Sequence, residues 1–165
     1  MVLLTLNSGL RRGELFHLRW EDLNLRTKML TVCGATAKSG QTRHIPLNRE
    51  ALAVLEAWGQ QSPNDVLVFP AKGGKRLTNV NTSWHGLLQD ARITGFTWHD
   101  LRHSFASKLV MAGVSLAVVR ELLGHADLTM TLRYAHLAPD HKAAAVERLC
   151  PVERPARALV ALGGR

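Results

Sequence analysis

The spacing of apolar positions along the chain changes twice. From Ser8 to about Trp20, Leu10, Leu15 and Leu18 recur at helix-compatible intervals, and Ser8 stands where an N-cap belongs. The period then shortens. "KMLTVCGA" (28–35) and "QTRHIPL" (41–47) are rich in apolar or β-branched residues and are separated by "TAKSG", which predicts an antiparallel hairpin with Lys38 near its tip. Asn48 is placed to cap a helix over "REALAVLEAWG" (49–59), where Leu52, Leu55 and Trp58 share a face. "DVLVFP" (65–70) predicts a third strand ended by Pro70.

After a basic, glycine-bearing loop, "AKGGKRL" (71–77), the pattern turns helical and stays so. Helices are predicted over about 78–91, then over 99–113, 115–124, 127–137 and 139–149. Gly113 and Gly124 are natural stops, and Pro139 suits the first turn of the last helix. The predicted fold class is therefore mostly α with a small antiparallel β-sheet near the front.

Composition narrows the domain count and the partner. A chain of 165 residues can bury one core but not two, so we read one domain over 1–150 and a C-terminal tail over 151–165. Lys and Arg number 21 against 13 Asp and Glu, a formal net charge of +8, which favours a polyanion. Nucleic acid leads, and an anionic membrane surface comes second. No apolar run approaches the ~20 residues of a membrane span, and the start lacks the order of a signal peptide. Cys33 and Cys150 show no metal or redox spacing and read as reduced thiols of a cytoplasmic protein.

Five stretches concentrate side chains that suit a phosphate: "SGLRRGEL", "AKSGQTR", "HDLRH", "LGHAD" and "TLRYAH". Taken singly, each has an ordinary reading. His99 and Arg102, three apart, share a helix face, which is commonly just a solvated surface. Arg11 and Glu14 have the same spacing, with Glu14 able to hold the guanidinium. Lys38 alone is a charge in a turn, His125 alone an exposed or capping residue, and Tyr134, the single tyrosine of the chain, a packed ring. His99 and His103 are four apart, but no Glu in the H-E-x-x-H position and no third ligand support zinc. His44, His85, His136 and His141 read as surface or structural, with His136 near Tyr134 in sequence.

Their order raises them together. "GLRRGEL", a hairpin lysine, "HDLRHSFAS" and "LGHADLTMTLRYAH" resemble, in that succession, the catalytic domain of the tyrosine recombinases, the phage-integrase family, over about residues 3–136. The resemblance implies that Arg11, Lys38, His99, Arg102 and His125 surround a DNA phosphate and that Tyr134 attacks it. The product would be a 3′-phosphotyrosine, with Lys38 protonating the 5′ leaving oxygen. Arginine forks suit the non-bridging oxygens of such a phosphate, and imidazoles add donors or move a proton. A phenol of pKa about 10 needs a base or a cationic surround, and the cluster is expected to supply both. The chemistry needs no cofactor, because the charge a metal ion would neutralise is met by side chains.

The expected partner is double-stranded DNA, gripped in part by Lys72, Lys75 and Arg76, with a homotetramer assembled on it by the full-length protein. The expected location is the cytoplasm, at the nucleoid, with no membrane. The family usually places a helical DNA-binding domain ahead of this one. Met1 lies only ten residues before Arg11, so the chain reads as a fragment or a truncated gene product, with its first helix clipped. The alternative function is a non-catalytic, recombinase-like DNA-binding module, using the 115–136 helices as a reader.

Overall fold

The computed structural model describes residues 1–35, 40–62, 64–139 and 146. Helix α1 (Val2–Ser8) opens the chain and lies against α3 (Arg49–Gly59) and α5 (Trp98–Met111). Leu4, Thr5 and Ser8 form its buried face. Ser8 therefore ends a helix instead of starting one. Its hydroxyl donates back to the Leu4 carbonyl at 2.6 Å, a bond that serine makes within helices as readily as it caps them. Gly9, at φ 64°, closes α1, and a Cβ there would lie 2.5 Å from Phe105 Cδ1. The backbone must be bare here for α1 and α5 to meet.

Arg11 caps the next helix, α2 (Arg12–His17), and the Glu14 carboxylate accepts the Arg11 backbone N–H at 2.8 Å. The expected single helix from Ser8 to Trp20 is thus two short helices joined at Gly9, followed by a 3₁₀ turn at Trp20–Asp22.

The sheet is antiparallel with strand order β1-β2-β3, built from β1 (Leu23–Asn24), β2 (Met29–Val32) and β3 (Arg43–Pro46). The predicted hairpin is the β2–β3 pair, in which Leu30 faces Ile45 and Val32 faces Arg43. Alternation buries Leu30 and Val32 on one strand and Arg43 and Ile45 on the other. The third strand is β1. Segment 65–70 forms none: it makes single bridges, Arg19 with Leu67 and Pro70 with Arg76. Asn64 turns its start, its Oδ1 accepting from the Val66 and Leu67 backbone N–H groups, so the segment runs beside residues 18–20 instead of joining the sheet.

Asn48 caps α3 as predicted, accepting from the Ala51 N–H at 2.9 Å. Helices α4 (Asn81–Asp90), α5 and α6 (Leu116–Leu123) follow, and Gly113 and Gly124 take the positive φ that their stop positions require. The expected 127–137 helix is interrupted. Helix α7 (Thr129–Leu132) ends before Arg133, a 3₁₀ turn occupies Ala135–Leu137, and Tyr134 sits at the junction. The Tyr134 N–H bonds three residues back, to Thr131, and its ring packs with Phe105, Val110, Val119 and Leu123. Apart from Pro139 and Val146, the expected last helix and the tail lie outside the described residues. No helix among the described residues is long and apolar enough to cross a membrane.

Candidate active site

Three consecutive carbonyls at the end of α6 hold three arginines. Arg43 Nε donates to Leu122 O at 3.0 Å, Arg102 Nη2 to Leu123 O at 2.5 Å, and Arg11 Nη2 to Gly124 O at 3.1 Å. The last carbonyls of a helix lack intrahelical donors and form the negative end of its dipole, so cations are favoured there. A second arm of Arg102, Nη1, donates to the Gly9 carbonyl at 2.6 Å. Both glycine stops thus serve the site. At Gly124 a Cβ would come within 2.9 Å of Arg43 Cδ, and its φ of 61° suits glycine best.

Glu14 ties two of these arginines together. Its carboxylate takes Arg43 in a fork, at 3.0 and 2.7 Å, and Arg11 Nη1 at 3.0 Å. Glu14 is 5% exposed and Arg43 8%. Burial pushes the Glu14 carboxyl upward, but Arg43 and then Arg11 outweigh it, and the pKa lies below the ordinary value. A depressed carboxylate pKa stabilises the fold fully above the unfolded value, about 4.3. That contribution is lost as pH falls through the lower, folded value. Acid titration of wild type and Glu14→Gln, followed by circular dichroism, should show the wild-type advantage shrinking below about pH 4 and not at neutral pH.

The remaining groups come from α5 and from the segment after α6. His99 and Arg102 share a face as predicted and line one cleft of ≈430 Å³ with Leu10, Arg12, Gly13, Thr97 and Trp98. Thr97 and Asp100 form the capping box that starts α5 and so set where His99 projects. His125, just past the Gly124 stop, is oriented by Thr131, a fully buried residue, with Nδ1 2.9 Å from Oγ1. Tyr134 is 6% exposed, and its hydroxyl lies 2.5 Å from Nδ1 of His103. The ring of His103 in turn meets that of His99 edge to face at 4.6 Å.

The electrostatics follow from burial among arginines. Desolvation, then the charges of Arg102 and Arg11, pull His125 down to about 4. His99 is lowered by burial, then by His103 and Arg102, and His103 by burial and then by Arg133. Arg102 falls to about 9 through burial and then the Arg11 charge, which leaves it charged at neutral pH. Each of these shifts favours the neutral form of the imidazole concerned, His99, His103 or His125.

Tyr134 departs from expectation. Burial raises its pKa, and Arg133 and Arg102 only partly offset that. The neighbouring cations alone do not make this phenol acidic. His103 enters the sequence pattern only as a possible metal ligand, although its i,i+4 relation to His99 places both on one helix face. Arg43 was missed altogether. Its signal was the strand register, since Ile45 inward on a period-2 strand brings Arg43 inward too.

Of the residues named from sequence, Arg11, Glu14, His99, Arg102, His125 and Tyr134 come together. Lys38 lies outside the described residues. Lys72, Lys75 and Arg76 are exposed on their loop, and Arg76 Nη1 meets His17 Nε2, at the far end of the helix that Arg11 caps, at 2.6 Å. His44 pairs with Thr31, while His85 and His136 are exposed. Among the described residues no three His, Cys, Asp or Glu side chains come together to hold a metal ion.

The phage integrase family model matches residues 1–141. The chain belongs to the phage integrase family. The integrase of Salmonella phage P22 is 33% identical over 152 residues, covering 86% of this chain and 39% of that protein. Tyrosine recombinase XerC of Pseudomonas aeruginosa (strain LESB58) is 39% identical over 151 residues, covering 88% of this chain and 49% of that protein. The chain therefore spans less than half the length of either relative. Among solved structures, the Tn1549 transposon integrase in complex with circular intermediate DNA superposes with a TM-score of 0.75 at 25% identity. That match covers 90% of this chain and 58% of the integrase. The mostly α fold with a small antiparallel sheet is that of the family's catalytic domain.

Proposed function

We propose that residues 1–150 are the catalytic domain of a site-specific DNA recombinase that cuts and rejoins strands through a 3′-phosphotyrosine on Tyr134, with 151–165 as a tail. The observation that carries this is the meeting of three things at one centre. Arg11 and Arg102 sit on adjacent carbonyls of one helix end, His99 lines a cleft beside Arg102, and the single tyrosine of the chain touches an imidazole of the same helix.

In this reading Arg11 and Arg102 direct their free N–H groups to the non-bridging oxygens of the scissile phosphate, where negative charge grows in the transition state. His99 and His125 add neutral donors. The Tyr134 oxygen bonds to phosphorus, the bond to the 5′ oxygen breaks, and the Lys38 ammonium gives that oxygen a proton. The phosphotyrosine conserves the bond energy, so a 5′-hydroxyl reseals the strand by the reverse route. Double-stranded DNA is the substrate, a homotetramer on DNA is the working assembly, and the nucleoid is the place of action.

The test is a pool of nicked suicide duplexes, randomised around the nick, resolved on a denaturing gel. Wild type should give a covalent adduct and Tyr134→Phe none. An equal adduct from both would sink the catalytic reading and leave a DNA-binding module.

Lys72, Lys75 and Arg76 are proposed to meet phosphates outside the active centre. Fluorescence anisotropy with a random duplex should show Lys75→Ala with Arg76→Ala flattening the slope of log Kd against log salt by about 0.9 per lost contact. An unchanged slope would remove the loop from the interface.

A further inference from the structure

The proposed chemistry leaves the Tyr134 proton without a destination. Neither arginine can take it, because a guanidinium offers donors and no acceptor. His125 is held by Thr131 through Nδ1, and His99 lines the cleft with Arg102. His103 alone among the described residues places a ring nitrogen on the phenolic oxygen, with Nδ1 at 2.5 Å and ring centroids 5.9 Å apart. Such a distance is within reach of direct proton transfer.

We infer that His103 is a catalytic residue, the proton acceptor that converts Tyr134 to its nucleophilic form, and that His99 serves the phosphate instead. The inference rests on the strand-transfer reading above. As the O–H bond of Tyr134 breaks, the proton passes to Nδ1 of His103, and the electron pair left on oxygen forms the bond to phosphorus. The 5′ oxygen departs with the electrons of its own bond and takes the Lys38 proton. On resealing, the His103 imidazolium returns its proton to the departing phenolate.

The surroundings leave the ring unprotonated, as an acceptor must be before transfer. Burial and Arg133 lower the affinity of His103 for protons, so its ring is neutral and has a lone pair free at neutral pH. The groups facing it are His99, Asp100 and Arg102 on its own helix, with Arg133 and Tyr134 on the segment after α7. Helix α1, packed along α5, carries no titratable side chain, and Arg120, Glu121 and His136 on the other neighbouring elements are exposed. An acceptor at Nδ1 requires the tautomer protonated at Nε2. The inference commits to that tautomer.

Two measurements test it. Nitrogen-15 NMR of the full chain, with His103 assigned by its absence in His103→Gln, should show Nδ1 unprotonated at pH 7.5. A proton on Nδ1 would overturn the inference whether or not the chain cleaves DNA. On the nicked duplex pool, His103→Gln should lower the adduct rate by about 10²-fold or more and flatten the acid limb of its pH profile, which His99→Gln should retain. A rate within threefold of wild type, or an equal fall with the acid limb intact, would reduce His103 to a packing residue. If Tyr134→Phe forms as much adduct as wild type, the strand-transfer reading fails with it. If only the His103 variant is indifferent, that reading stands and this one falls.

Discussion

Arg102→Ala should lower covalent adduct formation on nicked duplexes by at least about 10²-fold while binding to random duplex changes by less than about threefold. The reason is where its guanidinium is fixed. Two of its N–H groups are spent on the Gly9 and Leu123 carbonyls, which lock the plane of the fork before any phosphate arrives. A donor fixed in advance is worth most where charge develops and little to ground-state affinity, which is spread over many phosphates. Arg102→Lys should recover little, because an ammonium cannot span both carbonyls and still present a fork. Some stability is lost as well, about 1–3 kcal/mol for each buried carbonyl left without a donor. Adduct yields are therefore compared at a temperature where circular dichroism shows the variant folded. A fall in binding as large as the fall in adduct would assign Arg102 to general DNA affinity and contradict its place in the transition state.

Glu14→Ala should be the most destabilising single change in the site, at about 3–5 kcal/mol by urea unfolding, because it strands Arg43 as a buried unpaired cation. Arg43 is 8% exposed, and the loss of Glu14 leaves its Nε bond to the Leu122 carbonyl with no carboxylate to balance the charge. Arg11 would lose its partner too, and with it the anchor that turns its second arm to Gly124. Replacing both members of the buried pair, Glu14→Leu with Arg43→Met, should restore much of the stability, since no charge then lies buried alone. Adduct formation should stay low in that double variant, because Arg11 is no longer held. Full activity in it would mean that the Glu14 network serves stability alone.

The same network shows what could and could not be seen in the residues themselves. Local signals were legible. Asn48 as a cap, Gly113 and Gly124 as stops, and the β2–β3 pairing follow from turn chemistry and period, and each is set by a few neighbouring residues. Ser8 misled because a serine hydroxyl satisfies a backbone group either at a helix start or four residues back, and only the packing of Gly9 on Phe105 decides between them. Segment 65–70 has strand composition, but its pairing depends on Asn64 and on residues 18–20, which no local pattern reveals.

For the site, the structure brings six of the named residues together, and the motifs say nothing about what holds them. Arg43 turns inward through the strand register, not through any motif. The acidity expected of Tyr134 was also misjudged, since counting nearby cations ignores the burial that opposes them.

The most direct test of the central claim is the identity of the bond. The adduct from wild-type protein and nicked duplex is digested with nuclease and trypsin, and the nucleotide-bearing peptide is sequenced by mass spectrometry. The account predicts a nucleotide joined through its 3′ phosphate to Tyr134. A 5′-phosphate linkage, or a nucleotide on any other residue, would contradict it.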